Sequence, residues 1–476
     1  MGTSATQLRL RSGSVPVAIA YAVVGSTLVL TRLVGLGRSF WEDEIYFVKY
    51  FVREGPAEIV AGPDLSHELY GLLAWLASAT LGESESTLRL LSAVPFVLGA
   101  IVVTIWLHRR QGPVAGVMFL FLATVSPLLL DLSRQARGYG LAFFAMSVLI
   151  VAALDVERSG RPAAVAAMCA AGVVGTATLP QFAIAFFAVG AVVATVPGSR
   201  RATSVGLVVS AVALLGWYAP HLAQVQAASQ VENGSRIDGS WLITAPIDQI
   251  LLPALIWIEG FSLIAGPLWL PLVAVSVLVM ASSPYVRGVR TALILCVGPV
   301  ATIVVLWVAG AYVWPRYVSY LTVPLFVLLS TGASAVFSRT RSRPPILRAA
   351  VCTVAIALLA VNFASIAPDV LRLPREANRD AAELIAERAS ETTPILGYMH
   401  QPANIAFYLG RPVTPLTRSD VATRVCSQTA SVVYVMQPFG RTPVDVPCLV
   451  RPGVEHHRFR QYANAGRIDV WFVPER

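Results

Sequence analysis

The sequence predicts an α-helical polytopic membrane protein that ends in a small α/β domain. Three observations carry this. Of 476 residues, 56% are hydrophobic and 13% charged, about half the charge density of a soluble globular chain. Apolar runs near the length that crosses a bilayer core recur through the first 368 residues, with short arginine clusters between them. From Asp369 onward the chain is less apolar and its pattern turns to β-type runs and an amphipathic helix.

Taken in order, the apolar segments lie near 15 to 36, 88 to 107, 113 to 131, 138 to 154, 162 to 178, 181 to 196, 203 to 221, 264 to 282, 289 to 311, 315 to 337 and 346 to 367. The first has no small-residue cleavage site and reads as a retained span. Weaker stretches occur at 68 to 82 and 246 to 262. Basic clusters recur at alternate loops: Arg9 and Arg11, His108 to Arg110, Arg158 and Arg161, Arg200 and Arg201, Arg287 and Arg290, and Arg339, Arg341 and Arg343. The positive-inside rule puts them all in the cytoplasm. With both the N-terminus and residues 108 to 110 inside, 68 to 82 cannot cross and becomes a juxtamembrane or re-entrant helix; likewise 246 to 262 does not span. About eleven spans result, with the C-terminus outside the cytoplasmic (inner) membrane. The formal net charge of +9 follows from these loops, and no basic, aromatic-interleaved patch points to nucleic acid.

Residues 1–368 thus form a transmembrane domain whose first outer loop is 37–87, and 369–476 a soluble extracytoplasmic domain. In the latter a helix is expected over about 376 to 390, with strands at Ile395 to Met399, Val432 to Met436 and Ile468 to Val473. Of the five cysteines, Cys169, Cys296 and Cys352 lie in apolar spans as small buried side chains. Cys426 and Cys448 fall in the outer domain, an oxidising location, and are expected to form a disulfide. The six histidines show no metal-ligand spacing, and His456-His457 reads as surface. Asn233-Gly234-Ser235 is a formal sequon of a kind that often arises by chance.

The chemistry-bearing residues gather in the outer loops of this topology. Phe40-Trp41-Glu42-Asp43-Glu44-Ile45-Tyr46 follows the first span, and carboxylates at a bilayer edge are costly unless they serve a purpose. Asp64 and His67 share that loop. Asp131, Arg134, Gln135, Arg137 and Tyr139 form the next outer junction; Gln224, Gln226, Glu232, Arg236 and Asp238 lie in a later loop, and Tyr312-Val313-Trp314-Pro315-Arg316-Tyr317 opens a late span. Acids and arginines on one outer face suit group transfer from a lipid-borne phosphate. A carboxylate takes the acceptor's proton while arginines, which bind two phosphate oxygens in a planar fork, stabilise the leaving phosphate. Each residue also has a plainer role: Asp43 as a solvated helix end, Arg137 as a headgroup anchor, Arg316 as part of an interfacial aromatic belt. Glu259 is assigned no role.

Several strings resemble the GT-C superfamily of polyprenyl-phosphate-dependent glycosyltransferases, in particular the branch of protein O-mannosyltransferases and the aminoarabinose transferase of lipid A. They are Asp43-Glu44 after the first span, His67-Glu68-Leu69-Tyr70, Glu83 to Leu90, Ser126-Pro127 with Ser133-Arg134-Gln135-Ala136-Arg137-Gly138-Tyr139, and Arg316-Tyr317 with Pro324. The resemblance covers roughly residues 15 to 340 and is strongest in the first 150. It implies a GT-C-like fold and an inverting transfer of a sugar from a polyprenyl-phosphate donor to a glycan, lipid or protein hydroxyl outside the membrane. Asp43 would be the base and Glu44 its partner or organiser. Arg137, Arg316 and Tyr317 would face the phosphate, and His67, Tyr139 and Arg134 would line the pocket. Mannose- and arabinose-linked donors fit equally. Some members use a divalent metal; with no ligand cluster beyond isolated carboxylates, the reading favours no cofactor and leaves a metal open. The chain departs from the pattern at Glu68, where many relatives carry prolines or a lysine, and at Pro180-Gln181-Phe182, which lacks a histidine. A lipid-linked glycan ligase or polymerase is the nearest rival, and a secondary transporter or flippase a more distant one, since the spans hold few mid-membrane ionisable residues.

Overall fold

The computed structural model describes residues 14–61, 67–232, 289–308, 315–339, 364, 367–368, 370–373, 376–398, 401–417, 420–427, 432–436, 446–450, 452–460 and 467–474. The segments expected at 246 to 262 and 264 to 282, and that at 346 to 367 up to residue 363, lie outside them, as do Asp64, Asn233 to Ser235, Arg236, Asp238, Glu259, Tyr312 to Trp314 and Cys352. The chain forms two compact units, one of Met1–Val34, Ala57–Leu76 and Arg89–Ile366, the other of Gly35–Pro56, Ala77–Leu88 and Ala367–Arg476.

The helices in chain order are α1 Ser14–Leu33, α2 Glu42–Phe47 (continued by a π turn, Val48–Val52), α3 Pro56–Ala61, α4 Glu68–Leu81, α5 Glu85–Gln111, α6 Pro113–Val125, α7 Pro127–Leu132, α8 Tyr139–Ser159, α9 Pro162–Thr178, α10 Phe182–Val193, α11 Arg200–Glu232, α12 Val289–Val308 and, after a 3-10 turn at Pro315–Leu321, α13 Thr322–Arg339. Among the described residues five helical stretches are long and apolar enough to cross a bilayer: Pro16–Leu33, Glu85–Gln111, Tyr139–Ser159, Arg200–His221 and Arg316–Ser338. On α11 the residues Val208, Val209, Val212 and Leu215 are exposed, an apolar face of the kind that meets a bilayer or a protein partner. The protein is an α-helical polytopic membrane protein.

The first unit packs α9 on α8, α12 on α10, and α1 and α13 on α6. Its core is rich in aromatics, with Phe96, Phe119, Phe143, Phe182, Phe186 and Phe326 fully buried. The backbones of α5 and α8 nearly touch: a Cβ on Gly140 would lie 1.9 Å from the Ser92 carbonyl oxygen, and the Gly140 N–H donates to Ser92 Oγ at 3.0 Å. A single helix at 113 to 131 is not what forms. Pro127 denies Ser126 the helical conformation, so α6 stops at Val125 and α7 restarts with the Ser126 hydroxyl accepting from Leu129 N–H. Similarly, the segment at 315 to 337 begins as a 3-10 turn, and the one at 203 to 221 runs on to Glu232. Helix α4 has 14 residues, about 21 Å at ~1.5 Å per residue, short of the ~30 Å hydrocarbon core.

The second unit carries a five-stranded sheet with α14 Asn378–Arg388, β1 Ile395–Tyr398, α15 Gln401–Leu409, β2 Thr414–Leu416, α16 Asp420–Cys426, β3 Val432–Met436, β4 Glu455–Arg460 and β5 Arg467–Val473. The strand order is β2-β1-β3-β5-β4. The first three strands are parallel, and β5 is antiparallel to both β3 and β4. Ile395, Val433, Val435, Ile468 and Val470 bury one face with Ala381, Ala382, Ile385 and Ile405 of the helices. Leu396, Tyr434 and Val473 bury the other with Cys448 and Val425. Strands β2 and β4 were not anticipated, and both are edges. Neither shows an apolar run, since Thr-Pro-Leu and Glu-His-His-Arg-Phe-Arg are exposed at most positions, as sheet edges commonly are. His456 and His457 therefore sit on β4, bonded to Asp469 and Glu455. Cys426 and Cys448 are joined in a disulfide with their Cα atoms 5.5 Å apart.

Candidate active site

The acidic tract belongs to the second unit. Helix α2 with its π continuation covers only residues 42 to 52, below the length that is stable in isolation, so its position depends on what holds its start. Glu44 is fully buried and turns its carboxylate back onto Trp41 N–H (Oε2, 3.1 Å), the reciprocal half of a capping box. The Glu42 N–H donates to Glu376 Oε2 at 3.1 Å. Two N–H groups that a helix start leaves without intrahelical acceptors are thereby satisfied by carboxylates, which the positive end of the helix dipole also favours. Asp43, between these two, stays half-buried.

The basic residues belong to the first unit. After α7 the chain turns sharply through Ser133 to Arg137, and Arg134, Gln135 and Arg137 are all buried. The Arg134 guanidinium donates to the Val34 carbonyl at the end of α1, and Gln135 Nε2 donates to Asp131 at 3.1 Å. Arg32, fully buried, similarly donates to the Ala123 and Thr124 carbonyls that end α6. These two arginines hold helix ends together.

Arg137 leads into the Gly138-Tyr139 start of α8, and this start is built around His67. His67 is fully buried and is the one described non-glycine residue with a positive φ, at 67°. That conformation is costly for a side chain with a Cβ and persists only where packing enforces it. Its Nδ1 accepts from Gly138 N–H at 3.1 Å, and its ring meets the Tyr139 ring edge-on at 5.0 Å. His67 lies outside every candidate span; burial first, then the Arg137 and Arg316 charges, hold its imidazole well below the usual histidine range. It is therefore neutral, with Nδ1 as acceptor and the proton on Nε2. Both guanidiniums are thus close enough to act on one ring. Arg316 stands over the Tyr317 ring at 5.2 Å.

The structure unites His67, Arg137, Tyr139 and Arg316 electrostatically or by contact, while Arg134 is turned towards the end of α1. Both departures from the family pattern have partners. Glu68 is buried against His221 of α11, with Nε2 and Oε1 3.3 Å apart. Gln181 donates through Nε2 to the Tyr317 carbonyl at 2.9 Å and so fixes the backbone beside Arg316. Sequence reasoning missed Gln181, Glu376 and Gly138. Gly138 stood in one of the quoted strings and Gln181 in the departure at Pro180-Gln181-Phe182, whereas nothing local marked Glu376. Among the described residues no group of three or more His, Cys, Asp or Glu is placed to hold a metal ion.

No protein-family model and no curated protein matches the chain. Solved structures do. ArnT from Cupriavidus metallidurans bound to undecaprenyl phosphate is 16% identical, with a TM-score of 0.55 over 96% of this chain and 97% of that one. Its apo state gives 14% and 0.54 over 97% and 98%. The oligosaccharyltransferase of Archaeoglobus fulgidus, in complex with Zn and sulfate, gives 14% and 0.52 over 83% of this chain and 62% of that one.

Proposed function

Because the chain has the GT-C fold, we propose that it is a membrane glycosyltransferase that moves a sugar from a polyprenyl-phosphate donor to an acceptor hydroxyl on the outer face of the cytoplasmic membrane. Asp43 takes the proton as the acceptor oxygen attacks the anomeric carbon. The bond from that carbon to the phosphate oxygen breaks with inversion, and polyprenyl phosphate leaves carrying the electron pair. Arg137 and Arg316, with Tyr317, receive the charge that builds on the phosphate. The observation that carries the reading is a fold shared over nearly its whole length with a protein solved with undecaprenyl phosphate; the buried Arg137, next to a Gly138 whose N–H is bonded to His67, supports it.

The division of labour among the carboxylates has support in their surroundings. Glu44 is committed to Trp41 N–H and organises the tract, whereas Asp43 keeps partial access to solvent. His67 and Tyr139 set the backbone of Arg137 through Gly138. In this reading 1–368 is the membrane catalytic domain and 369–476 the extracytoplasmic domain, with the first outer loop, 37–87, contributing Asp43 to the reaction.

The test is transfer by the purified protein in nanodiscs from a panel of radiolabelled polyprenyl-phosphate sugars, hexosyl and pentosyl, with a membrane extract as acceptor and with and without EDTA. A lipid-linked oligosaccharide in the same panel separates single-sugar transfer from ligation. Label transfer from one monosaccharide donor is expected; transfer from none overturns the reading.

A further inference from the structure

The main chain just before Asp43 is bonded by residues that follow it by more than 300 positions. The Glu376 carboxylate is fully buried and accepts at Oε2 from Glu42 N–H at 3.1 Å and from Asn378 Nδ2 at 3.0 Å. Its main-chain carbonyl accepts from Ser39 Oγ. Asn378 Nδ2 also donates to the Phe40 carbonyl at 3.3 Å. The Tyr408 hydroxyl accepts from Phe40 N–H at 2.6 Å and donates to Glu85 Oε1 at 3.2 Å. Phe40 and Glu42 thus have main-chain groups bound on either side of Trp41, and Asp43 follows directly.

We propose that Glu376, supported by Asn378 and Tyr408, is a positioning residue for the Asp43 carboxylate, so that the segment after the last span is part of the catalytic apparatus. This rests on the reading of Asp43 as the base. The physical reason is the shortness of α2. Even with its π continuation the helical run covers only residues 42 to 52, too short to hold its own geometry, while general-base catalysis needs the carboxylate placed to about 0.5 Å. A buried carboxylate on the N–H of the first helical residue, Glu42, supplies a charge-assisted anchor one residue before Asp43. No contact to substrate is required of Glu376.

The experiment compares Glu376→Ala, Glu376→Gln and Asp43→Asn, and the Asp43→Asn/Glu376→Ala pair, in turnover of the polyprenyl-phosphate sugar that wild type uses, with binding of undecaprenyl phosphate measured alongside. Loosening Asp43 by about 1 Å lowers kcat roughly a hundredfold. Glu376→Ala is expected to show that fall with donor KM and undecaprenyl phosphate binding within about twofold of wild type. Glu376→Gln keeps an acceptor oxygen and recovers most of the loss. The double variant is expected to be no slower than Asp43→Asn alone, because Glu376 acts through Asp43. If Glu376→Ala fails to fold, Tyr408→Phe removes the Phe40 anchor while keeping its ring, and the same split of kcat from KM is expected. A folded Glu376→Ala with wild-type kcat, a loss confined to KM, or additive losses in the double variant each overturn the positioning role while Asp43 stands. Wild-type turnover by Asp43→Asn instead removes the base assignment and the proposal with it.

Discussion

Gly138 is where packing and chemistry are most tightly coupled, and Gly138→Ala tests that coupling. Its φ of −71° suits any residue, so only space demands glycine here. An added Cβ would lie 2.4 Å from Thr178 Cγ2 and 2.9 Å from His67 Nδ1, against ordinary contacts of about 3.5–4.0 Å. The start of α8 must therefore move by about 1 Å from Thr178, and in doing so it stretches the bond from Gly138 N–H to His67. Overpacking of this kind costs about 1–3 kcal/mol in stability, and losing the hydrogen bond adds about 1 kcal/mol. Since Arg137 is the preceding residue, the same shift misplaces its guanidinium, with roughly a hundredfold loss of turnover. Thermal unfolding in detergent and transfer kinetics are measured together. Thr178→Ala removes the closest atom, so the pair of substitutions should recover part of both losses and be strongly non-additive. Full activity and stability in Gly138→Ala, or simple additivity with Thr178→Ala, would refute the reasoning.

Other expectations follow from the same geometry. Arg137→Ala should weaken undecaprenyl phosphate binding by about tenfold or more, the scale of one charge-assisted hydrogen bond of ~1.5–3 kcal/mol. Arg137→Lys should restore only part of it, because the planar fork is lost; titration of the lipid phosphate in nanodiscs checks both. Folding lowers the His67 pKa, so the unfolded chain binds that proton more tightly. The stability present above about pH 6.5 is therefore lost as the pH falls below it. Unfolding temperatures at pH 7.5 and 5.5 should differ by less in His67→Gln than in wild type, and an unchanged gap contradicts the assignment. The disulfide closes a separation of 22 residues, which corresponds to about 3 kcal/mol of chain entropy. Cys426→Ser/Cys448→Ser should unfold at a lower temperature than wild type, and reductant should no longer change that temperature.

The membrane class, the apolar helices and the three central strands were legible because each rests on local composition or period. Residues 395–398 and 432–436 are nearly all apolar, as doubly covered parallel strands must be. The edge strands were not legible, since β4 is polar at most positions and its partner supplies the order. The break at Ser126-Pro127 was visible as a proline but was absorbed into a longer apolar run. At the site, residue types and order pointed to Asp43, Arg137 and Arg316. What holds them was hidden, because Glu376 and Glu42 are 334 positions apart and Gln181 and Tyr317 are 136 apart. No periodicity marks a buried carboxylate as an anchor for a distant helix start. His67 stood in a recognisable string, yet its strained backbone and its bond to Gly138 follow only from the tertiary packing.

The central claim is that Asp43 is the base of a sugar transfer from a polyprenyl phosphate. Single-turnover transfer by Asp43→Asn, with donor preloaded, tests it most directly. The account predicts a chemical step slower by roughly a hundredfold or more with undecaprenyl phosphate bound as tightly as by wild type. A chemical step at the wild-type rate would contradict it.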